Sequence, residues 1–224
     1  MYVTIPSDQT GIDSAITFAG PISITQETRL KAGAYLFFEG DTVEWLYRVT
    51  SGVLRLTRML EDGRRQVIAF GYPGDIVGFP AQGLHHTDCD ALTDVRLQPY
   101  RRSALERPET DPELHRELLD AALREISGMQ DHFMMLGRKS AAEKVASFLC
   151  VLADHVGLRA GDRRVVELPM SRADIADFLG LTQETVSRIL TQLRKSKIIA
   201  IDNITKISIL RPMALLALSA GDCD

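Results

Sequence analysis

"LGLTQETVSRIL", residues 179–190, joins a glycine-containing break to a helical run with two chemically different sides. Val186 and Ile189 are apolar, whereas Glu184, Ser187 and Arg188 crowd the first two turns with polar and charged groups. An amphipathic helix buries its apolar side and leaves its polar side to solvent or a partner. The segment therefore predicts a packed helix that presents a charged face.

The spacing around this break is typical of a helix-turn-helix. Ala176, Gly180, Val186 and Ile189 lie 4, 6 and 3 residues apart. A small residue lets two helices cross closely, a glycine allows the turn, and two apolar residues hold the second helix down. A preceding helix, with Ser171 as its cap, and a following β-rich run, "IIAIDNITKISIL", complete the pattern. The sequence predicts a winged helix-turn-helix.

The polar face of the second helix has groups that can read DNA from the major groove. Arg188 can pair bidentately with guanine O6 and N7, and Glu184 can accept from a cytosine or adenine amino group. Glu184 could instead form only a surface ion pair with Arg188 at i+4. We favour base reading by Glu184, Ser187 and Arg188. Residues expected to support DNA binding are Ser171, Arg172, Thr182, Gln183, Thr191, Lys195 and Lys197.

Charge is distributed unevenly along the chain. Residues 159–211 contain ten Lys/Arg and six Asp/Glu, a balance of +4, although the whole chain has a net charge of −4. A mildly basic C-terminal third on an acidic body suits a polyanion-binding module attached to another unit.

Residues 25–100 read as an antiparallel β structure. Short apolar runs such as "KAGAYLFFEGD" and "LYRVTSGVLRLTRML" alternate with glycines, and "EDGRR" is typical of a hairpin turn. Tight turns between short strands indicate an antiparallel barrel or sandwich.

A long helix is predicted over 111–136, because this stretch has only one glycine and a continuous apolar stripe. Such a stripe needs a partner, either its own domain or a second copy in a coiled coil. We favour the second copy. The stripe consists of Leu114, Leu118, Ala122, Ile126, Met129, Phe133 and Leu136. A further helix is predicted from Ser140, with Glu143 completing a capping box, to Gly157.

Together these segments resemble the bacterial Crp/Fnr transcription regulators from about residue 21 to residue 212. "AGAYLFFEGD", "LYRVTSGVLRL" and "YPGDIVGF" resemble the family's β-roll, and "SRADIADFLGLTQETVSRILTQLRK" resembles its winged helix-turn-helix. Within that motif, "ETVSR" matches the E-x-x-S-R of the Fnr/FixK subgroup. The resemblance implies that Glu184, Ser187 and Arg188 read TTGAT-type half-sites in an inverted repeat. It also implies RNA polymerase as a partner.

The resemblance implies an α+β architecture in four parts. These are a β-roll like a cyclic-nucleotide-binding jelly roll (1–110), a dimerisation helix (111–137), a winged helix-turn-helix domain (138–212) and a C-terminal tail (213–224). The expected function is a homodimeric transcription regulator that activates microaerobic, anaerobic or nitrogen-oxide metabolism genes.

No cofactor is expected in the β-roll. Cyclic-nucleotide binders of this family carry a glutamate and an arginine that contact the ligand, but the comparable positions here lie near Phe79 and Cys89-Asp90. Residues 1–88 contain no cysteine, which excludes the cysteine-ligated iron–sulfur cluster of oxygen-sensing relatives. His85-His86 leaves a haem- or small-molecule-gated sensor of the same fold as the alternative. We read Cys89 as an inert thiol, because Asp88 and Asp90 would raise its pKa.

The composition fits a soluble protein rather than a membrane or secreted one. Apolar residues make up 45% of the chain, no apolar run reaches spanning length, and the N-terminus lacks the basic start of a signal peptide. Cys89, Cys150 and Cys223 suggest reduced thiols, and a cytoplasmic location is expected. A cupin-like metal enzyme is the rival class, but the five histidines do not form a cupin's triad. They are His85, His86, His115, His132 and His155.

Overall fold

Two four-stranded antiparallel sheets form the N-terminal half of the protein in a computed structural model that describes residues 27–160 and 163–221. The strands are β1 (Thr28–Leu30), β2 (Tyr35–Phe37), β3 (Trp45–Ser51), β4 (Leu54–Met59), β5 (Arg65–Gly71), β6 (Ile76–Val77), β7 (Asp88–Ala91) and β8 (Val95–Arg101). One sheet has the order β1-β8-β3-β6 and the other β2-β7-β4-β5. The first 26 residues of the predicted roll domain lie outside the described residues.

The predicted β-roll is confirmed, and its core lies between the two sheets. In β8, Val95 and Leu97 are buried while Arg96 between them is exposed, as the two-residue period of a strand requires. Phe37 and Leu54 of the second sheet pack into the same cluster as Leu97. The "EDGRR" turn is also confirmed, since it connects β4 to β5.

Two helices follow the roll: α1 (Ser103–Glu106) and α2 (Pro112–Arg138). The α2 helix begins where predicted, because the Asp111 carboxylate accepts a hydrogen bond from the Leu114 backbone N–H at 3.0 Å. Pro112 occupies the first turn, where its missing N–H has no cost.

The apolar stripe of α2 is divided between two sides. Leu118 is 0% exposed and packs with Ala121 against Leu46 and Ile76 of the roll. Leu114 also packs against this cluster, and Leu136 packs against the core of the C-terminal half. The prediction that Leu118 faces a partner chain is therefore wrong, because the roll of its own chain already covers this side of the helix.

The opposite side of α2 remains open. Ile126 is 53% exposed and Phe133 is 75% exposed, and both were in the predicted stripe. They continue a row of exposed apolar residues whose positions fall every three or four residues, as neighbours on one helix face do. The row consists of Leu119, Leu123, Ile126, Met129 and Phe133.

The C-terminal half combines four helices with one antiparallel sheet of order β11-β12-β10-β9. Its elements are α3 (Ala141–Val156), β9 (Leu158–Ala160), β10 (Arg163–Glu167), α4 (Arg172–Leu179), α5 (Gln183–Lys195), β11 (Ile199–Asn203), β12 (Lys206–Ile209) and α6 (Pro212–Ala220). The Ser140–Glu143 capping box at the start of α3 and the end at Gly157 are both confirmed. The winged helix-turn-helix is likewise present.

The predicted C-terminal tail is instead mostly a helix. Leu215 of α6 is buried in the same core as α3, and the Lys139 ammonium donates to the Ser219 carbonyl at 2.7 Å. Lys139 lies between α2 and α3, so α6 closes over the junction of the two halves. Composition gave no strong signal for this, because "PMALLALSA" has no polar face to set a helical period.

The two halves share one apolar core. Phe70 of β5 lies 5.2 Å from Phe178 of α4, ring centroid to centroid, and Phe148 of α3 lies 5.9 Å from Phe178. Val53 and Val67 of the roll belong to the same cluster. The helix-turn-helix is thus packed directly on the roll. None of the helices in the described part of the chain is long and apolar enough to cross a membrane.

Candidate nucleic-acid interface

The first helix of the motif, α4, is held at both ends by local hydrogen bonds. The Ser171 hydroxyl accepts from the Asp174 N–H at 3.1 Å, while the Asp174 carboxylate accepts from the Ser171 N–H at 2.9 Å. Gly180 ends the helix with φ +61°, a left-handed conformation that costs a glycine little. Leu181 then donates back to the Ala176 carbonyl at 2.9 Å. The predicted cap and the predicted glycine turn are both confirmed.

The second helix, α5, is positioned by its apolar side. Val186, Ile189, Leu190 and Leu193 are buried in the shared core. Thr182 caps the N-terminus, because its hydroxyl accepts from the Thr185 N–H at 3.2 Å. Thr182, Gln183 and Glu184 at the helix start are exposed, so the positive end of the helix dipole is accessible from solvent, which favours a nearby anion.

The three predicted base readers share the outer face of α5. Glu184, Ser187 and Arg188 are all exposed. In the helix-turn-helix, the acidic residues that form ion pairs with the roll belong to α4. Among the described residues, no ion pair joins Glu184 to Arg188. The i+4 brace that the spacing allowed is therefore absent here, and both charges are available to a ligand.

The predicted supporting residues differ in how open they are. Gln183 and Lys195 are exposed, as is Lys197, whose φ is +54° just beyond α5. Thr191 is half-buried and its hydroxyl donates to the Ser187 carbonyl at 2.8 Å, so this group is occupied within the helix. Arg172 is half-buried, and burial lowers its pKa from the usual value.

The wing is a short hairpin beside α5. Strands β11 and β12 pair antiparallel, and the turn between them is fixed by the Asn203 carboxamide oxygen, which accepts from the Thr205 N–H at 2.9 Å. The predicted wing is confirmed, and its turn lies at residues 204–205.

Acidic residues on α4 face the roll, and sequence analysis did not find this contact. Asp174 accepts from Arg55 at 2.6 Å and from Arg65 at 2.7 Å, and Asp177 accepts from Arg65 at 2.8 Å. Asp90 of β7 also pairs with Arg55 at 2.8 Å. These partners lie up to 119 residues apart along the chain, so no local pattern could reveal them.

The charges in this contact support each other. Burial alone would raise the pKa of Asp174, but its hydrogen bonds from Ser171 and the charge of Arg55 outweigh it and lower the pKa. Burial alone would lower the pKa of Arg55, but its hydrogen bonds and charge interactions with Asp90 and Asp174 raise it. Both groups are therefore ionised over the working range of pH.

The part of the roll comparable to a cyclic-nucleotide site is nearly filled. A cavity of about 60 Å³ lies beside Phe79, lined also by Phe37 and His85. Ligand sites for small organic molecules are usually several hundred Å³, so this cavity is smaller than a typical ligand site. The imidazole ring of His85 stacks on the ring of Phe37 with 3.6 Å between centroids, and His85 is buried.

The described cysteines are enclosed rather than reactive. Burial, followed by the charges of Asp90 and Asp88, raises the pKa of Cys89 far above its usual value, in the direction predicted. Burial also raises the pKa of Cys150 to about 11. Cys223 lies outside the described residues. Within residues 27–160 and 163–221, no group of three or more His, Cys, Asp or Glu side chains is arranged to hold a metal ion.

Comparison with known proteins matches both halves of the chain. Residues 27–107 match the cyclic nucleotide-binding domain, and residues 143–218 match the Crp-like helix-turn-helix domain. The nitrogen fixation regulation protein FixK of Rhizobium meliloti is 40% identical over 188 residues, which cover 84% of this chain and 84% of that protein. The transcriptional activatory protein AadR of Rhodopseudomonas palustris is 40% identical over 179 residues, covering 80% and 75%.

A solved structure has the same architecture. FixK2 from Bradyrhizobium japonicum superimposes with a TM-score of 0.79 at 34% identity, covering 86% of this chain and 96% of that one.

Proposed function

This chain belongs to the FixK-like subgroup of the Crp/Fnr transcription regulators, and on that premise we propose that it reads TTGAT-type inverted repeats as a homodimer. It is a DNA-binding transcription regulator. We propose further that it activates genes of microaerobic, anaerobic or nitrogen-oxide metabolism, and that it acts in the cytoplasm with RNA polymerase as a partner.

The open polar face of α5 is the observation that carries the proposal. Glu184, Ser187 and Arg188 are exposed on a helix whose other side is locked into the core. An exposed guanidinium can donate two hydrogen bonds to a guanine, and an exposed carboxylate can accept from an amino group of cytosine or adenine. Lys195 and Lys197, beyond the helix, suit phosphate contacts that set the register.

The homodimer is supported by the open side of α2. Its exposed apolar row repeats at Leu119, Ile126 and Phe133, seven residues apart, as a coiled-coil seam requires. Pairing two copies along this row is expected to place the two α5 helices about one DNA turn apart, so that each reads one half of an inverted repeat.

A variant of the open row tests the dimer. Leu123→Glu with Ile126→Glu would put four charges into the paired seam, and we expect a folded monomer that loses binding to the inverted repeat. Met59→Glu with Leu60→Glu is the matched control, since both residues are exposed and apolar but lie on the roll. Sedimentation and DNA titration provide the measurements. A dimeric seam variant with intact DNA binding would place the interface elsewhere.

We also propose that the protein binds DNA without an effector bound in the roll, because the cavity beside Phe79 is smaller than a typical ligand site. Purified protein is expected to be colourless, free of iron and indifferent to cAMP in thermal unfolding. A bound ligand raises the free energy of unfolding by about 2.7 kcal/mol at a hundredfold excess over its Kd, which such an assay detects. A haem absorption band or a shift with cAMP would contradict this part.

A small-molecule-gated regulator is the second candidate, because a larger cavity of about 370 Å³ lies between the roll, α2 and α3. Arg124 and His155 are among its polar lining residues, and Phe70 and Ile76 among the apolar ones. This volume is within the range of ligand sites. Narrowing it with Ala121→Phe would leave inverted-repeat binding unchanged under the first proposal and alter a ligand response under the second.

A further inference from the structure

We propose that Arg55 and Arg65 of the β-roll are positioning residues for DNA recognition, which hold the helix-turn-helix in one orientation and so set the half-site spacing that the dimer accepts. The inference rests on the proposed dimeric reading of inverted repeats. We call the five residues Arg55, Arg65, Asp90, Asp174 and Asp177 the arginine clasp.

Arg55 is the inner member of the clasp. Its Nε and Nη2 donate to the two carboxylate oxygens of Asp90 at 3.0 and 2.8 Å, which fixes the guanidinium plane on the roll. Its Nη1 then points across to α4 and donates to Asp174 at 2.6 Å. A bidentate pair is directional as well as strong, so the Nη1 group of Arg55 is held at a defined place beside α4.

Arg65 is the outer member. Its Nη2 donates to Asp174 at 2.7 Å and to Asp177 at 2.8 Å, and its Nε donates to Asp177 at 3.1 Å. The neighbouring Gln66 carboxamide donates to the Asp177 backbone carbonyl. Two successive residues of β5 therefore hydrogen-bond to one turn of α4, Arg65 to side chains of the helix and Gln66 to its backbone.

The clasp supplies direction that the apolar contact lacks. Phe178 packs against Phe70 and Phe148, but apolar surfaces allow small rotations at little cost because the hydrophobic effect has no preferred direction. The side chains of Asp90 and Asp174 are only 7% and 5% exposed, so a rotation of α4 that broke their pairs would leave buried charges unpaired. The ion pairs therefore select one orientation among several that the core would accept.

The orientation that the clasp selects leaves the reading face open. All five clasp residues lie on the roll or on α4, while Glu184 and Arg188 of α5 stay exposed. Because α4 and α5 are joined by the Gly180 turn and packed in one core, fixing α4 also fixes α5. In a dimer joined through α2, each α5 would then be held at a set distance from the two-fold axis.

This arrangement controls how strongly the dimer prefers one separation of the two half-sites over others. A rigid pair of reading helices fits one half-site separation, whereas loosely attached helices adapt to several at an entropic cost. The experiment measures the Kd for an inverted repeat at its best spacing, for repeats with the spacer changed by about two base pairs either way, and for a single half-site.

Three variants of the full chain separate the effect of breaking the clasp's ion pairs from the effect of changing the net charge. Arg65→Asp breaks the outer pairs at a side chain that is one-third exposed. Arg65→Asp with Asp177→Arg reverses the pair and restores it. Arg64→Asp makes the same charge change one residue earlier, where the arginine side chain pairs, among the described residues, with Asp62 of its own turn.

We expect wild type and Arg64→Asp to prefer the best spacing by about tenfold or more, and Arg65→Asp to reduce this preference to about threefold or less. Half-site binding of Arg65→Asp should match that of Arg64→Asp, and the reversed pair should recover the spacing preference. Thermal unfolding of each variant reports whether it is folded.

Other outcomes overturn the inference. Undiminished spacing preference in Arg65→Asp would remove the clasp's role while leaving the proposed function intact. Equal losses on every DNA, without recovery in the reversed pair, would reduce the clasp to a stabilising contact, and tighter binding by Arg65→Asp would make it inhibitory. A wild type without any spacing preference would remove dimeric reading itself, and the inference with it.

Discussion

The two helices of the helix-turn-helix use their charges in opposite ways. On α4, Asp174 and Asp177 are paired with arginines of the roll, whereas on α5, Glu184 and Arg188 face solvent. Both helices carry charged residues in their first turns, so composition does not separate them. The difference lies in what surrounds each charge: the acidic side of α4 lies against the roll, and the charged outer face of α5 borders open space.

This comparison identifies which charges are available for recognition. A carboxylate that already accepts hydrogen bonds from two arginines has little to offer a DNA base, while an unpaired one can still choose a partner. Substitutions in α4 should therefore change stability and helix orientation, and substitutions on the outer face of α5 should change DNA affinity and base preference but not stability.

The largest expected effect is the loss of an aromatic anchor of α4. Phe178→Ala removes a fully buried ring that contacts Phe70 and Phe148, and we expect it to lower the free energy of unfolding by about 3–5 kcal/mol. The matched change on α5, Arg188→Ala, should alter it by less than about 0.5 kcal/mol, because the side chain is exposed. Denaturant titration measures both. Similar losses in the two variants would break the distinction between the helices.

Acid should weaken the docking of α4 before it affects α5. His132 of α2 stacks on Phe178 at 4.3 Å, and burial lowers its pKa from 6.5 to about 4 despite a hydrogen bond with the Phe178 backbone. In the unfolded chain this histidine takes up a proton near pH 6.5. Between pH 6.5 and 4 the unfolded state therefore binds more protons than the folded state, and the free energy of unfolding decreases as the pH is lowered through this range.

His132→Phe keeps the stacking and removes the titration. We expect it to abolish up to about 3 kcal/mol of the acid-induced loss between pH 6.5 and 4. Denaturant titrations at several pH values give the difference between wild type and variant. Parallel pH profiles for the two proteins would show that His132 is not the titrating group.

Base reading by α5 has the next largest effect. If Arg188 grips a guanine with two hydrogen bonds, Arg188→Ala should cost roughly 1–3 kcal/mol per half-site and relax the preference at that base pair. Arg188→Lys should not restore it, because an ammonium cannot reproduce the planar fork. Titrations against repeats with single base changes test this. A uniform loss on every sequence would make Arg188 a phosphate contact, and specificity would then come from Gln183, Ser187 or DNA deformability.

The smallest effect is expected just beyond the reading helix. Lys195→Ala removes one exposed charge at the end of α5 and should weaken binding to all sequences alike, flattening the dependence of log K on log salt by about one unit per subunit. Titration at several salt concentrations measures the slope. A change in base preference would mean that Lys195 reaches a base edge instead.

Local patterns predicted most of the elements because their causes are local. The Ser171–Asp174 and Ser140–Glu143 caps need only residues three apart, and the turn at Gly180 needs only a residue that tolerates positive φ. The sequence did not predict which apolar residues of α2 are buried by the roll and which stay exposed. Leu118 and Ile126 are both apolar and both belong to the long stripe, yet one is buried by the roll and the other is open.

The sequence by itself determined the α+β order of elements, the helix-turn-helix and the residues on the outer face of α5, because periodicity and capping act over a few residues. Only the tertiary structure decided that Arg55 and Arg65 meet Asp174 and Asp177, and which side of α2 stays open. These contacts join residues more than a hundred positions apart, and their existence depends on how the roll and α4 pack together. Spacing along the chain has no bearing on that packing, so chemistry that spans the two halves becomes visible only in three dimensions.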